Sequence, residues 1–203
     1  MKLADILSGL RRRWYIVVPG LILAVIATVG TWTAAGDEYE RTATQVLLPG
    51  ESSIPEGGNP YLYIGGLGQA ADIVVRALGS PNVLTPLLDQ HPGTEVTISR
   101  DPTTSGPVFM ITVLAPSDGA ATEVLDQLVG ETSTVLENLQ DEQGIGTRDR
   151  ITVMPVFVDD ESLVQRRNRV MITAFVGVGA VTLVLVGAAL ADGILLSRSR
   201  RRR

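Results

Sequence analysis

The sequence predicts an α+β membrane protein, in which two transmembrane helices flank an extracytoplasmic domain with the element order β-α-α-β-β-α-β. Residues 14–35 and 170–191 contain no charged side chain, and about 20 helical residues are enough to span a hydrocarbon layer of about 30 Å. Between them, over residues 36–169, strand-like alternation and helical periodicity follow one another. Residues 1–13 and 192–203 remain as a cytoplasmic N-terminal segment and a basic cytoplasmic tail.

Charged residues beside the two apolar stretches predict how the chain inserts. Basic residues accumulate on the cytoplasmic side of membrane spans. Four basic residues precede the first stretch, three acidic residues follow it closely, and a run of arginines follows the second. Both termini are therefore expected in the cytoplasm of a multi-pass plasma-membrane protein, with topology anchors at Arg11, Arg12, Arg13, Arg200, Arg201, Arg202 and Arg203.

A cleaved signal peptide is the alternative interpretation of the first apolar stretch. The segment TWTAAG offers the small residues that a signal peptidase accepts. The apolar region is longer than the roughly 7 to 15 residues of a usual signal core, which favours an uncleaved anchor. Before it, residues 1–13 place four apolar side chains on one helical face, which predicts an amphipathic helix on the inner leaflet or a plain extension of the span.

Composition limits the chemistry that the domain can perform. The whole chain has a net charge of −5, but residues 36–169 carry 20 acidic side chains and 8 arginines, a net charge of −12. Such an acidic domain argues against nucleic-acid binding. There is no cysteine, and His91 is the single histidine, which excludes thiol chemistry and the usual zinc sites. We expect no cofactor and no metal, although sites of oxygen ligands alone stay open.

The first half of the domain contains a strand, a loop and two helices. Residues 39–48, YERTATQVLL, alternate and are rich in β-branched side chains, which predicts a strand. Residues 49–60 are dense in Pro, Gly and Ser and form a loop. Apolar residues then recur at helical spacing over 66–78. Ser80 as N-cap and Pro81 as first helical residue predict a second, short helix.

The second half begins with a hairpin and continues with a long helix. Residues 95–99 and 108–114 are two strands separated by RDPTTSGP, a Pro- and Gly-containing turn. A helix is expected from Ser117 or Asp118 to about Gln143. Its predicted buried stripe consists of Ala121, Val124, Leu125, Leu128, Val135, Leu136 and Leu139.

The last strand is predicted over residues 151–158, with Pro155 tolerated only at an edge or a bulge. The resulting order is a split βαβ pattern, with helices on one face of a mixed or antiparallel sheet. If the first and last strands are neighbours, one sheet connects the two membrane helices.

Several polar and small residues have both a functional and a plain structural interpretation. Asp159, Asp160 and Glu161 could hold a cation, but the favoured interpretation is the first turn of the helix that enters the second span. His91 is expected in a surface turn, and Asp192 at the inner interface could couple to a partner. Small residues four apart allow close contact between the spans, in the pairs Gly20 with Ala24 and Gly187 with Ala191. No nucleophile and base stand out, so an enzyme is not expected.

The basic segment LADILSGLRRRWYIVVPG, the strand YERTATQVLL and the returning apolar stretch together resemble the Wzz-type chain-length determinants, the polysaccharide co-polymerases. The resemblance covers the whole chain in architecture and is most specific over residues 1–48. The stretch NPYLYIGGLGQAADIVVRAL is similar to actinobacterial or Gram-positive members of capsular and exopolysaccharide systems.

This resemblance implies a non-enzymatic membrane protein of the cell envelope that regulates the chain length, polymerisation or export of a surface polysaccharide as a homo-oligomer. A polysaccharide polymerase and a lipid-linked glycan are the implied partners, and Gram-positive relatives also activate a cytoplasmic tyrosine kinase. The tail has no phosphate loop and no tyrosine, so a kinase is expected on a separate chain. The family's proline-rich segment before the second span is reduced here to Pro155, which departs from the pattern.

Tyr61 and Tyr63 are the candidate contacts for glycan or a neighbouring subunit, with packing in the core as the favoured alternative. The competing function is a two-span sensor or envelope-assembly protein with an extracellular ligand-binding domain.

Overall fold

The computed structural model describes residues 12–200, and the side chains of all of these except Asp192 and residues 194–200. The chain divides into two compact units, one from its two ends and one from Asp37–Gln165. In the first unit lie helices α1 (Trp14–Ala34) and α5 (Arg167–Arg200). The amphipathic helix predicted over residues 1–13 lies outside the described residues except for its last two positions.

Helices α1 and α5 are long and apolar enough to cross a membrane, judged by length and composition. The mean hydropathy is 2.0 for Trp14–Ala34 and 2.4 for Arg167–Ala191. The second helix begins at Arg167, three residues before its predicted start. Pro19 lies in the first two turns of α1, where a missing backbone hydrogen bond disturbs the helix least.

The two long helices pack against one another at small residues. A Cβ atom added to Gly20 would lie 2.7 Å from a methyl carbon of Val184, so a larger residue would have to displace the Val184 side chain. Ala24 is 4% exposed in the same region of α1. These contacts confirm the prediction for Gly20 and Ala24. For Gly187 the prediction is wrong, since nothing lies within 4 Å of its added Cβ.

The second unit is built on a five-stranded antiparallel sheet. Its strands are β1 (Glu38–Leu48), β2 (Glu95–Arg100), β3 (Val108–Ala115), β4 (Thr152–Val158) and β5 (Leu163–Gln165). The sheet order is β2-β3-β1-β4, and β5 pairs with the first residues of β1. The predicted hairpin of β2 and β3 is confirmed, and the first and last predicted strands are neighbours.

The register explains where proline is tolerated. Along β1, Thr44 lies opposite Phe157, while the next residue, Gln45, lies opposite Pro155. Val156 is therefore the extra residue of a β-bulge, and Pro155 stands beside it on a strand that has β1 as its only neighbour in the sheet order. The prediction of an edge or bulge at Pro155 is confirmed.

Three helices cover one face of the sheet: α2 (Gly68–Leu78), α3 (Pro81–Leu88) and α4 (Asp118–Glu142). Because successive side chains on a strand point to opposite faces, every second residue of β1 and β3 faces these helices. The resulting core includes Ala43, Leu47, Phe109, Ile111, Val113, Val74, Leu78, Val124, Leu125 and Leu128. Burying this apolar surface is the main source of the domain's stability.

Short turns and caps set the helix ends. The Ser117 side chain accepts a hydrogen bond from the backbone N–H of Ala120 at 3.2 Å, so it caps α4 as predicted. Ser80 occupies the N-cap position of α3 and Pro81 follows at the first helical residue, but the Ser80 side chain makes no capping hydrogen bond. A short 3-10 helix, Pro60–Gly66, precedes α2 within the predicted loop and helix start.

The buried stripe of α4 contains two polar residues that periodicity did not predict, Thr132 and Gln140. The Thr132 hydroxyl donates to Oε1 of Gln45 at 2.8 Å, and Gln140 binds both the backbone N–H and the carbonyl of Ile151. These bonds satisfy groups that would otherwise be costly to bury. Val135 is half-buried and packs against the core.

The segment after β4 differs from its prediction. Asp159, Asp160 and Glu161 form a bend instead of a helical turn, and they are followed by β5 and then by α5. The predicted helical turn is therefore wrong. Asp159 is held instead by β1: its carboxylate accepts the backbone N–H of Thr42 at 2.7 Å, and its own N–H donates to the Thr42 carbonyl.

Candidate functional site

The two candidate tyrosines lie on the exposed 3-10 helix Pro60–Gly66. Tyr61 is 51% and Tyr63 is 41% exposed, and Leu62 between them is 77% exposed. Asn59 caps this turn by accepting the backbone N–H of Tyr61 at 3.1 Å. Neither ring belongs to the hydrophobic core, so the favoured interpretation of core packing is wrong. A contact with glycan or with a neighbouring subunit stays a prediction.

The Tyr61 hydroxyl lies 3.8 Å from the sulfur of Met154 on β4. Met154 is opposite Val46 in the sheet and therefore on the face that α2, α3 and α4 leave uncovered. Val46 is only 3% exposed. The tyrosine-bearing turn is thereby fixed to the domain and presents its rings from a defined position.

A buried arginine connects three parts of the domain. Arg41 of β1 is 9% exposed as a residue, and it donates to Oγ of Ser162 at 2.9 Å, to the carbonyl of Asp159 at 3.2 Å and to Oδ1 of Asp118 at 3.1 Å. Ser162 also donates to Asp118. We call this group of four residues the arginine cluster. It ties β1, the start of α4 and the bend between β4 and β5 together.

The arginine cluster lowers the pKa of one of its members, Asp118. The hydroxyl of Ser162, followed by the guanidinium of Arg41, stabilises the charged carboxylate of Asp118 and lowers its pKa below the ordinary value of 3.8. Asp118 is also the first residue of α4, where the helix dipole favours a negative charge. The Asp118 carboxylate therefore stays charged to a lower pH than an isolated aspartate would.

Sequence reasoning missed Arg41, although a signal for it existed. In β1 the helix-facing positions alternate, so Arg41 and Gln45 have the same parity as the apolar Ala43 and Leu47. A polar residue at such a position has to find a partner in the core. The sequence could indicate the need for partners, but it could not name Asp118 or Ser162.

Four exposed apolar side chains lie on β4 and β5. Val156, Phe157, Leu163 and Val164 are 60%, 58%, 63% and 47% exposed. We call these four residues the apolar edge. Within the apolar edge, Phe157 and Leu163 lie on the face that the helices leave uncovered, because they are opposite Thr44 and Glu40, whereas Val164 is opposite Tyr39 and lies on the other face. Exposed apolar residues of this kind are candidate contacts for a partner.

The remaining predicted residues are placed as follows. His91 lies in the turn after α3, where its N–H donates to the carbonyl of Leu88. Within residues 12–200, no group of three or more His, Asp or Glu side chains is arranged to hold a metal ion. Of the predicted topology anchors, Arg12 and Arg13 are described, whereas Arg11, the side chain of Arg200, Arg201, Arg202 and Arg203 lie outside the described part, as does the side chain of Asp192.

Two clefts lie on the helical side of the domain. One, of about 290 Å³, lies between α3 and α4. The other, of about 430 Å³, lies between the second half of α4 and the start of β4. In the second, the polar groups of Gln140 and Arg150 are already bound to Ile151, Ile145 and Asp141.

No protein-family model and no curated protein matches this chain. Among solved structures, the chain is similar to a full-length bacterial polysaccharide co-polymerase, with a TM-score of 0.44 and 19% sequence identity. The match covers 70% of this chain and 49% of the other, so this chain spans about half the length of that co-polymerase. A second similarity, to a protein assigned as an amidohydrolase/peptidase from Burkholderia cenocepacia, has a TM-score of 0.21 and 15% identity over 61% and 28% of the two chains. Both TM-scores lie below 0.5, so neither similarity establishes a function for this chain.

Proposed function

We propose that this chain is a non-enzymatic, two-span membrane protein that regulates the chain length, polymerisation or export of a surface polysaccharide. The proposal is supported by the resemblance of residues 1–48 to chain-length determinants and by two helices of membrane-spanning length. Its domain lies outside the cell, and both termini lie in the cytoplasm, because basic residues flank the inner ends of the spans.

The observation that carries the proposal is the sheet connection between the two ends of the domain. Strand β1 follows α1 in the chain, β5 precedes α5, and β1 pairs with both β4 and β5. The arginine cluster adds side-chain bonds at the same place. A domain in which one sheet joins the strands next to both spans is a rigid external scaffold, which suits a protein that acts by positioning partners.

The scaffold works as a homo-oligomer that uses the apolar edge. Apolar residues at such an exposure gain free energy when a neighbouring subunit covers them. The test is the molar mass of the full chain in lipid nanodiscs, measured by native mass spectrometry. Phe157→Asp and Leu163→Asp are expected to reduce the oligomer, and Ile73→Asp, at an equally exposed apolar residue on α2, is the matched control. An unchanged mass in both variants would remove the apolar edge from the proposal.

The partners are a polysaccharide polymerase, its lipid-linked glycan and a separate cytoplasmic tyrosine kinase. Tyr61 and Tyr63 contact the glycan or a neighbouring subunit from the exposed turn. Substituting both rings by alanine should change polymer length or oligomer mass. If both stay unchanged, the tyrosines have no such role.

The deciding experiment is the size distribution of surface and secreted polysaccharide in cells with and without this chain, and after restoring it. A reversible change in modal length or amount is expected. If length and yield do not change on deletion, the proposed function is wrong, and a sensor or envelope-assembly role takes its place.

A further inference from the structure

The cleft between α3 and α4, here called the polar groove, combines apolar and polar side chains as small-molecule sites do. Its accessible apolar part is formed by Val83 and Pro86, whereas Leu87, which is 8% exposed, and Leu128, which is fully buried, offer little surface to a ligand. Its polar part consists of Asn82, Gln90, Gln127 and Glu131. Binding sites for small molecules combine an apolar lining with a few placed polar groups in this way.

The amide groups of the polar groove are available for a ligand. Within residues 12–200, the side chains of Asn82 and Gln127 make no hydrogen bond to another described residue. Gln90 donates through Nε2 to the carbonyl of Pro86 at 2.8 Å, which leaves its Oε1 as an acceptor. Each carboxamide offers both donors and an acceptor, and sugar hydroxyls need both.

The two sides of the groove are held by helices. Gln127 and Glu131 are four residues apart on α4, so they lie on the same helical face. Asn82 is in the first turn of α3, and Gln90 follows the end of that helix. Leu87 and Leu128 anchor these helices in the hydrophobic core. The groove is therefore formed before any ligand arrives, which reduces the entropy cost of binding.

The negative charge of the domain favours an uncharged glycan over an anionic one. Residues 37–165 contain 20 acidic and 5 basic side chains, a net charge of −15. Glu131 is the only charged residue that lines the groove among the described residues. A polyanionic glycan would be repelled by the domain as a whole, whereas an uncharged glycan pays no such cost.

The second cleft of the helical side differs from the polar groove because two of its polar side chains are already hydrogen-bonded within the domain. The amide of Gln140 and the guanidinium of Arg150 are used for internal bonds, so a ligand would have to break them. The polar groove requires no such exchange. Its volume of about 290 Å³ lies near the lower end of the roughly 300 to 1,000 Å³ typical of ligand pockets, which suits a short segment of a chain.

We propose that the polar groove binds a short segment of uncharged glycan, with Asn82, Gln127 and Glu131 bonding to sugar hydroxyls and with Val83 and Pro86 contacting the apolar face of a sugar ring. This inference rests on the proposed function and adds the substrate class and the place of contact. The domain then binds the polymer directly and also acts as a scaffold.

The test uses the full chain in nanodiscs and short oligosaccharides prepared from the surface polysaccharide of the producing cells. Titration calorimetry gives the dissociation constant for the unchanged protein and for Asn82→Ala, Gln127→Ala and Glu131→Ala. Each loss of a hydrogen bond should weaken binding about three- to tenfold. The matched controls, Thr85→Ala on α3 and Asp126→Ala on α4, change exposed residues outside the groove and should leave the constant unchanged.

Salt dependence separates the two classes of glycan. Binding of an uncharged segment should be the same at low and high ionic strength, because no net charge is neutralised. Binding that falls steeply with salt, equal constants in groove variants and controls, or no binding by the unchanged protein would each overturn the inference. None of these results affects the proposed function, which stands or falls with polymer length after deletion of the chain.

Discussion

Replacing Arg41 by methionine is expected to release the bend between β4 and β5 from the rest of the domain. Methionine keeps much of the apolar stem but removes the charged hydrogen bonds to Ser162 and to the carbonyl of Asp159, which are 2.9 and 3.2 Å long. Hydrogen bonds to charged groups contribute about 1.5–3 kcal/mol each, and water can replace part of these because both acceptors are half-exposed. A loss of roughly 2–3 kcal/mol follows, without any contribution from the exposed carboxylate of Asp118.

The assay is hydrogen exchange of the full chain followed by mass spectrometry. Peptides that cover residues 159–165 should exchange about 30- to 100-fold faster in Arg41→Met, because 1.4 kcal/mol corresponds to a factor of ten in the opening equilibrium. Arg148→Met is the matched control, since the Arg148 side chain is 81% exposed and its pair with Glu51 lies in solvent. Unchanged exchange in these peptides of Arg41→Met would refute the role of the arginine cluster.

Three further predictions concern pH, the long helices and the core. The pKa of Asp118 is lower in the folded state than its ordinary value of 3.8. Its contribution to stability is therefore complete above that value and is lost as pH falls through the folded-state pKa. Asp118→Asn should flatten this part of an acid-unfolding curve followed by circular dichroism. Gly20→Val should weaken the contact between α1 and α5, whereas Gly187→Val, with open space around it, should not; cross-linking of an engineered cysteine pair in this cysteine-free chain measures the difference, and equal yields would contradict it. Thr132→Val should cost about 1–3 kcal/mol by leaving Oε1 of Gln45 buried without its donor, while Thr132→Ser keeps the hydroxyl and should lower the thermal midpoint less.

The sequence by itself determined the elements whose signal is local. The uncharged stretches predicted α1 and α5, the Pro- and Gly-containing turn predicted the hairpin of β2 and β3, and Ser117 marked the start of α4. Each of these features depends on residues close together in the chain, because helical periodicity, turn geometry and capping act over a few positions.

The tertiary structure alone decided which distant groups meet. Strand β5 is three residues long and forms because β1 offers its free edge there, so the acidic triplet before it became a bend and not a helical turn. Arg41 is hydrogen-bonded to Ser162, which lies 121 positions further along the chain, and Gln45 is hydrogen-bonded to Thr132, which lies 87 positions further along. The period of a pattern tells which side of an element is buried, but the partner of a buried polar group depends on the packing of whole elements. For that reason the order of helices and strands could be predicted from the sequence, whereas the arginine cluster and the polar groove are visible only in the tertiary structure.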